Sequence, residues 1–260
     1  MFAHLKPLVE ENIKQAIAVG DLNAKVMPGD HHVTTAERVK YVYTFDIKKV
    51  KIKSKIRRYF ANSVVNKKTR AFANNIKIDG FEKAQSLQDR AFIITGNHYS
   101  PFDSLIIRHL TNKMGYKNKL SIVVNESNLF IKGQLGTLIK ALDVLPYAHD
   151  FKYLSTIFNL ALPHVINKGH AILIYPEQEM WLDYPYSRPL KAGAYHYAAT
   201  YKIPLLPTFT TFQKIKNNTY EYTLHVGEPI YPNDTLSVTE NKVQMMEEDN
   251  NFKMFWGKKD

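Results

Sequence analysis

The 260-residue chain has no cysteine. Disulfides, thiolate metal sites and cysteine nucleophiles are excluded, and the absence fits a reducing compartment. No run approaches the roughly 18 consecutive apolar residues that a bilayer-spanning helix needs. The N-terminal "MFAHLKPLVEENIKQ" carries glutamates where a signal peptide would have its apolar core, so export is not expected. There is no Gly-x-Ser-x-Gly elbow, which disfavours a serine hydrolase. There is no glycine-rich loop ending in lysine, which disfavours a nucleotide triphosphatase. His31 and His32 are adjacent but have no further ligands at metal spacing. They read as linker residues, and no metal site is expected.

What the chain has in excess is positive charge, a net +11. Such a surplus points to an anionic partner: nucleic acid, a membrane surface or an acidic carrier protein. Hydrophobic residues make up 45%, enough for a sizeable core. The pattern divides the chain into a basic helical N-terminal segment, residues 1–74, and an alternating α/β domain, residues 75–260.

In the first segment, Leu5, Leu8, Val9, Ile13 and Ile17 recur at helical spacing, with Gly20 as a stop. Thr34 and Glu37 are spaced as a capping box. Further on, Ile52, Ile56, Phe60 and Val64 step by four, one apolar stripe of a helix. Lys51, Lys53, Lys55, Arg57 and Arg58 surround it. Two readings stand: a solvated basic face over an ordinary core stripe, or a helix lying on anionic lipid. The concentration of basic residues here favours the second.

From about residue 75, short β-rich runs ("NIKID", "AFIITGN", "LSIVVNE", "DVLPY", "HAILIYPE", "IPLLPTFTTF", "YEYTLHVGEPI") alternate with helical ones. This predicts an α/β fold with a central mixed, largely parallel sheet flanked by helices. Ligands of such sheets sit at the carboxyl ends of the strands. "TENKVQMMEEDNNFKMFW" predicts a last helix before a frayed "GKKD" tail.

"FIITGNHYSPFDSLII" places His98 and Asp103 on the turn between a strand and a helix. That spacing lets the carboxylate turn back and accept from one imidazole nitrogen, leaving the other to take a proton from a hydroxyl. The carboxylate would fix the tautomer and stabilise the imidazolium. By itself the pair is a weak signal. Asp103 also reads as a helix N-terminal carboxylate, and His98 as a satisfied core histidine.

The surroundings strengthen it. "GNHYSPFDSLI" resembles the first motif of the glycerolipid (lysophosphatidic-acid type) acyltransferase family. "NESNLFIKGQLGTLIKALDVLPY" is similar to the family's second block, "AILIYPEQEMW" falls at its Pro-Glu-Gly motif, and "IPLLP" resembles its paired-proline motif with Pro204 and Pro207. The resemblance spans roughly residues 75 to 215. It implies acyl transfer from a thioester, acyl-CoA or acyl-carrier protein, to a lipid-like alcohol. His98 would be the base, Asp103 its orienter, and backbone donors at the helix start the oxyanion partners. It further implies substrate contacts by Asn97, Ser100, Lys140, His149, Glu177, Gln178 and Lys191, with no metal and no cofactor beyond the acyl donor. The sequence departs from the pattern at Gln178, Glu179 and Met180, where the family has Gly-Thr-Arg, and at His149, where it has arginine. Lys140, Arg188 and Lys191 are the candidates to replace those charges. Gln178 and Glu179 suit neutral hydroxyls better than a phosphomonoester. Trp181 and Tyr184 read either as an acyl channel or membrane edge, or as loop aromatics.

The expectation is a cytoplasmic enzyme attached peripherally to an anionic membrane through Lys51, Lys53, Lys55, Arg57 and Arg58. The alternative is a non-catalytic anionic-lipid-binding protein of the same fold. A nucleic-acid-binding module is a more distant reading, because no binding motif accompanies the charge.

Overall fold

The computed structural model describes residues 5–29, 31–215 and 219–258. Helix α1 (Lys6–Ala18) starts with proline in its first turn, where a missing N–H costs nothing. Gly20 follows it at φ +74°. The Thr34–Glu37 capping box forms at the start of α2 (Thr35–Glu37), which continues as a π-helical turn. Helix α3 (Ile52–Ala73) is the basic helix.

The remaining chain alternates: β1 (Ile76–Asp79), β2 (Phe92–Thr95), α4 (Asp103–Lys113), β3 (Leu120–Asn125), α5 (Gly133–Ala141), β4 (Val144–Tyr147), α6 (Phe151–Tyr153), α7 (Asn159–Ile166), β5 (Ala171–Ile174), α8 (Gly193–Tyr201), β6 (Leu205–Lys214), β7 (Tyr220–Val226) and α9 (Val238–Trp256). Each of the seven predicted strands is present. A π-helical turn joins α6 to α7. Ser237 and Glu240 form the capping box of α9. The last two residues of the expected frayed tail lie outside the described residues.

The strands form one sheet in the order β1-β7-β6-β2-β5-β3-β4. Neighbours from β6 to β4 pair in parallel, β7 is antiparallel to β6, and β1 is parallel to β7. Central strands are buried on both faces, so they read as continuous apolar runs without alternation. Successive residues nevertheless face opposite cores. Ile93 packs with the α7–α8 side, and Ile94 with Ile106, Ile107 and Leu110 of α4. Val33, Val42 and Ile47 from the N-terminal segment join the first of these cores. Gly136 in α5 is required sterically: a Cβ there would meet the Ile131 carbonyl oxygen at 1.7 Å.

Helix α3 packs in an unexpected sense. Its buried face is Ala61, Asn62, Val65, Asn66 and Thr69. Asn62 accepts from Arg108, and Asn112 of α4 donates to Asn66. The predicted apolar stripe points away from the protein: Ile52 is 75% exposed, Ile56 53%, Phe60 63% and Val64 45%. The core-stripe reading is therefore wrong for this helix. The fourfold period located a stripe but not the side it faces, and the packing face is instead Ala61 and Val65 together with Asn62, Asn66 and Thr69.

Candidate functional site

The register sets the geometry. Thr95 at the end of β2 pairs with Ile174 at the end of β5. Three residues beyond each lie His98 and Glu177, so the two loops meet at the carboxyl edge of the sheet. The Glu177 carboxylate accepts the His98 amide at 3.3 Å. The chain after Glu177 then runs beside the His98 loop: the amides of Trp181 and Asp183 donate to the carbonyls of His98 and Tyr99.

Asp103 begins α4 and is 5% exposed. Its Oδ2 lies 2.7 Å from His98 Nδ1. With the carboxylate as acceptor, Nδ1 carries a proton, so it is Nε2 that holds the lone pair in the neutral ring. Among the described residues nothing bonds to Nε2, and the His98 side chain is 22% exposed. The imidazole is thus oriented by Asp103 with Nε2 open. The tyrosine after β5, Tyr175, was not singled out from sequence. Its hydroxyl donates to Asp103 Oδ1 at 2.6 Å, and its ring stacks on the imidazole at 4.2 Å between centroids.

Other expected site residues are placed differently. Asn97 is buried, and its amide both donates to the Thr210 carbonyl and accepts the Thr210 amide. It extends the β2–β6 ladder past the last strand residue, and both ends of its side chain are used. Ser100 Oγ accepts the Phe102 amide and closes the turn into α4. The amides of Ser100, Phe102, Asp103 and Leu105 are all engaged within this loop, so none of them is a ready oxyanion donor.

Glu177 is 3% exposed. One oxygen accepts from the Arg188 guanidinium at 3.0 Å and the other from the Arg188 amide at 3.2 Å. Arg188 also donates to the carbonyls of Leu22 and Glu179 and lies over the Trp181 ring. Burial pushes its guanidinium below the ordinary arginine range, against the opposing pull of Glu177. The pair forms a buried brace under the loop, and Arg188 is not a cation open to a substrate phosphate. Trp181 is fully buried against Val9, Ile13 and Ala16, with its indole N–H on the Ala24 carbonyl. It is the socket for α1 rather than the wall of a channel.

Gln178 is exposed at φ +62°, a left-handed conformation that favours glycine. Lys191 is exposed at the same edge, its amide bonded to the Pro176 carbonyl. His149 is exposed, edge-on to Tyr147 after β4. Lys140 lies in the last turn of α5, which runs from the carboxyl edge towards the start of β4, so it sits away from His98. Of the basic set, Lys51, Lys53, Lys55 and Arg57 are exposed, but Arg58 turns inward and pairs with Asp143 at 3.3 Å. His31 is no bare linker residue: it pairs with Glu37 at 3.0 Å and stacks on Phe130.

A parallel-rich sheet thus carries at its carboxyl edge a histidine bonded to a carboxylate, with its second ring nitrogen open. The Acyltransferase family model matches residues 75–211, more than half of the chain, and the protein belongs to that family. The matched region contains all four motifs of the resemblance. Among solved structures, the chain is similar to the 1-acyl-sn-glycerophosphate (LPA) acyltransferase PlsC of Thermotoga maritima. The two share 17% identity over 99% of this chain and 100% of that one, with a TM-score of 0.48. No curated protein matches the chain.

Proposed function

We propose that the protein transfers a fatty acyl group from a thioester, acyl-CoA or acyl-carrier protein, to a hydroxyl of a lysophospholipid or related lipid. His98 Nε2 takes the hydroxyl proton as the oxygen attacks the thioester carbonyl. The tetrahedral intermediate then collapses with cleavage of the C–S bond, and the imidazolium returns the proton to the leaving thiolate. Asp103 holds the tautomer and offsets the imidazolium charge. The observation that carries this reading is the 2.7 Å Nδ1–carboxylate contact with Nε2 open at the ligand edge of the sheet.

The acceptor we propose presents hydroxyls rather than a phosphomonoester. Met180 stands where the family pattern has an arginine, Arg188 is taken by Glu177, and Arg58 by Asp143. Lipid is reached through α3. Helix α3 packs on α4 through Asn62–Arg108 and Asn66–Asn112, and its first turns lie beside Asp143, which Arg58 meets at 3.3 Å. There Ile52, Ile56, Tyr59 and Phe60 are exposed beside Lys51, Lys53, Lys55 and Arg57. Apolar side chains flanked by cations fit the cytoplasmic surface of an anionic bilayer. Among the described residues no helix is long and apolar enough to cross one.

The test is an acyl-transfer screen pairing both donors with lysophosphatidic acid, lysophospholipids and glycolipids. Transfer that disappears in His98→Ala supports the reading, and equal transfer by parent and variant refutes it. Activity on lysophosphatidic acid alone would overturn the proposed acceptor class.

A further inference from the structure

Tyr175 touches both members of the His98–Asp103 pair, and neither contact follows from the strand that carries it. β5 ends at Ile174, and Tyr175 is the next residue, before Pro176. Its hydroxyl reaches Asp103 Oδ1 at 2.6 Å, while Oδ2 is the oxygen that holds His98 at 2.7 Å. Its ring lies nearly parallel to the imidazole, 14° between planes. We propose that Tyr175 is a positioning residue of the acyl-transfer site: its hydroxyl fixes the second oxygen of Asp103, its ring fixes the plane of His98, and together they set the proton affinity of Nε2. This rests on the reading of His98 as the base.

The two contacts act in opposite senses. A hydroxyl donating to Asp103 draws negative charge off the carboxylate, which then stabilises an imidazolium less. The stacked ring offers its electron-rich face to the same imidazolium as it forms. Burial and the Asp103 charge push the Tyr175 hydroxyl well above its ordinary range, so it stays a donor wherever His98 titrates. The other groups around His98 are accounted for. Glu177 meets its backbone amide and is neutralised by Arg188. Tyr99 lies behind Asp103 and is held protonated by burial.

The experiment compares Tyr175→Phe, which removes only the hydroxyl, with Tyr175→Leu, which also removes the ring. It uses the full chain and two readouts: the pH profile of kcat/KM, and the NMR titration of the His98 ring without substrates. For Tyr175→Phe the expected result is a melting curve close to the parent's, KM within about twofold, and kcat down about tenfold. The acid limb and the His98 titration should both move up by about half a pH unit. In Tyr175→Leu the titration should fall below that of Tyr175→Phe, because the face that favours the cation is gone. An unmoved His98 titration in Tyr175→Phe, with or without a loss of kcat, would overturn the proposal. A shifted titration while His98→Ala remains active would refute the base and leave the coupling of Tyr175 to His98 standing.

Discussion

Phe60→Ser separates a docking face from a folding face. Phe60 is 63% exposed on α3, with Ile56 one turn before it and Tyr59 beside it. A phenylalanine offers about 200 Å² of surface, so about 125 Å² of this ring is open. At about 25 cal/mol per Å² its insertion into lipid is worth about 3 kcal/mol, and about half that if the ring stops among the head groups. The variant should therefore bind phosphatidylglycerol vesicles about 10- to 150-fold more weakly. Serine has nearly the helix propensity of phenylalanine, and the ring leaves no cavity, so stability should change by less than about 0.5 kcal/mol. Vesicle co-sedimentation and a denaturation curve on the same preparation give both numbers. Raising the salt should weaken the lysine contribution in parent and variant alike and leave the Phe60 difference intact. Undiminished vesicle binding, or a large loss of stability, would refute the outward-facing stripe as a docking surface.

Asp103→Asn should lower acyl transfer by about 10²- to 10⁴-fold with donor KM little changed, since the imidazolium loses its counter-charge; single-turnover rates equal to the parent's would remove Asp103 from the mechanism. Asn97→Ala strips the Thr210 amide and carbonyl of their partners in a buried setting and should cost about 2–4 kcal/mol by urea denaturation; a cost below about 0.5 kcal/mol would disprove the clamp. Burial depresses Lys49 to about 8, against the opposing pull of Asp143 and Asp46. Between that value and its unfolded pKa near 10.5 the unfolded chain holds a proton the folded one has released, so stability from this group rises with pH. Lys49→Met should lack that rise and be more stable at pH 7 by up to about 3 kcal/mol, the gap closing towards pH 10.5; parallel stability curves would contradict it.

Particular elements show how far one-dimensional reasoning reaches. The strands were legible because a buried β-run is short, apolar and bounded by turn residues. The Thr34 cap was legible because a capping box is a local spacing; Ser237 and Glu240 have the same spacing and were passed over. The His98–Asp103 pair was legible for the same reason, since both lie on one turn. Tyr175 and Arg188 were not, because their partners are 72 and 11 residues away and meet them only through the pairing of β2 with β5 and the return of the loop after Glu177. A polar aromatic directly before the Pro-Glu step was the one available signal for Tyr175.

Asn97 and Glu177 mark the same boundary. Their side chains are equally suited to hold a substrate or to hold the backbone, and sequence carries no information on which partner is within reach. The amino-acid order by itself determined the α/β alternation, the local caps and a histidine–carboxylate turn at a strand end, since each is fixed by residues within a few positions of one another. The tertiary structure alone decided that α3 buries two asparagines and exposes its apolar stripe, that the Glu177 charge is spent on Arg188, and that a tyrosine bonds to Asp103 and stacks on His98. Those outcomes depend on which faces long-range packing brings together, and a periodicity along one chain segment cannot encode the side from which its neighbour arrives.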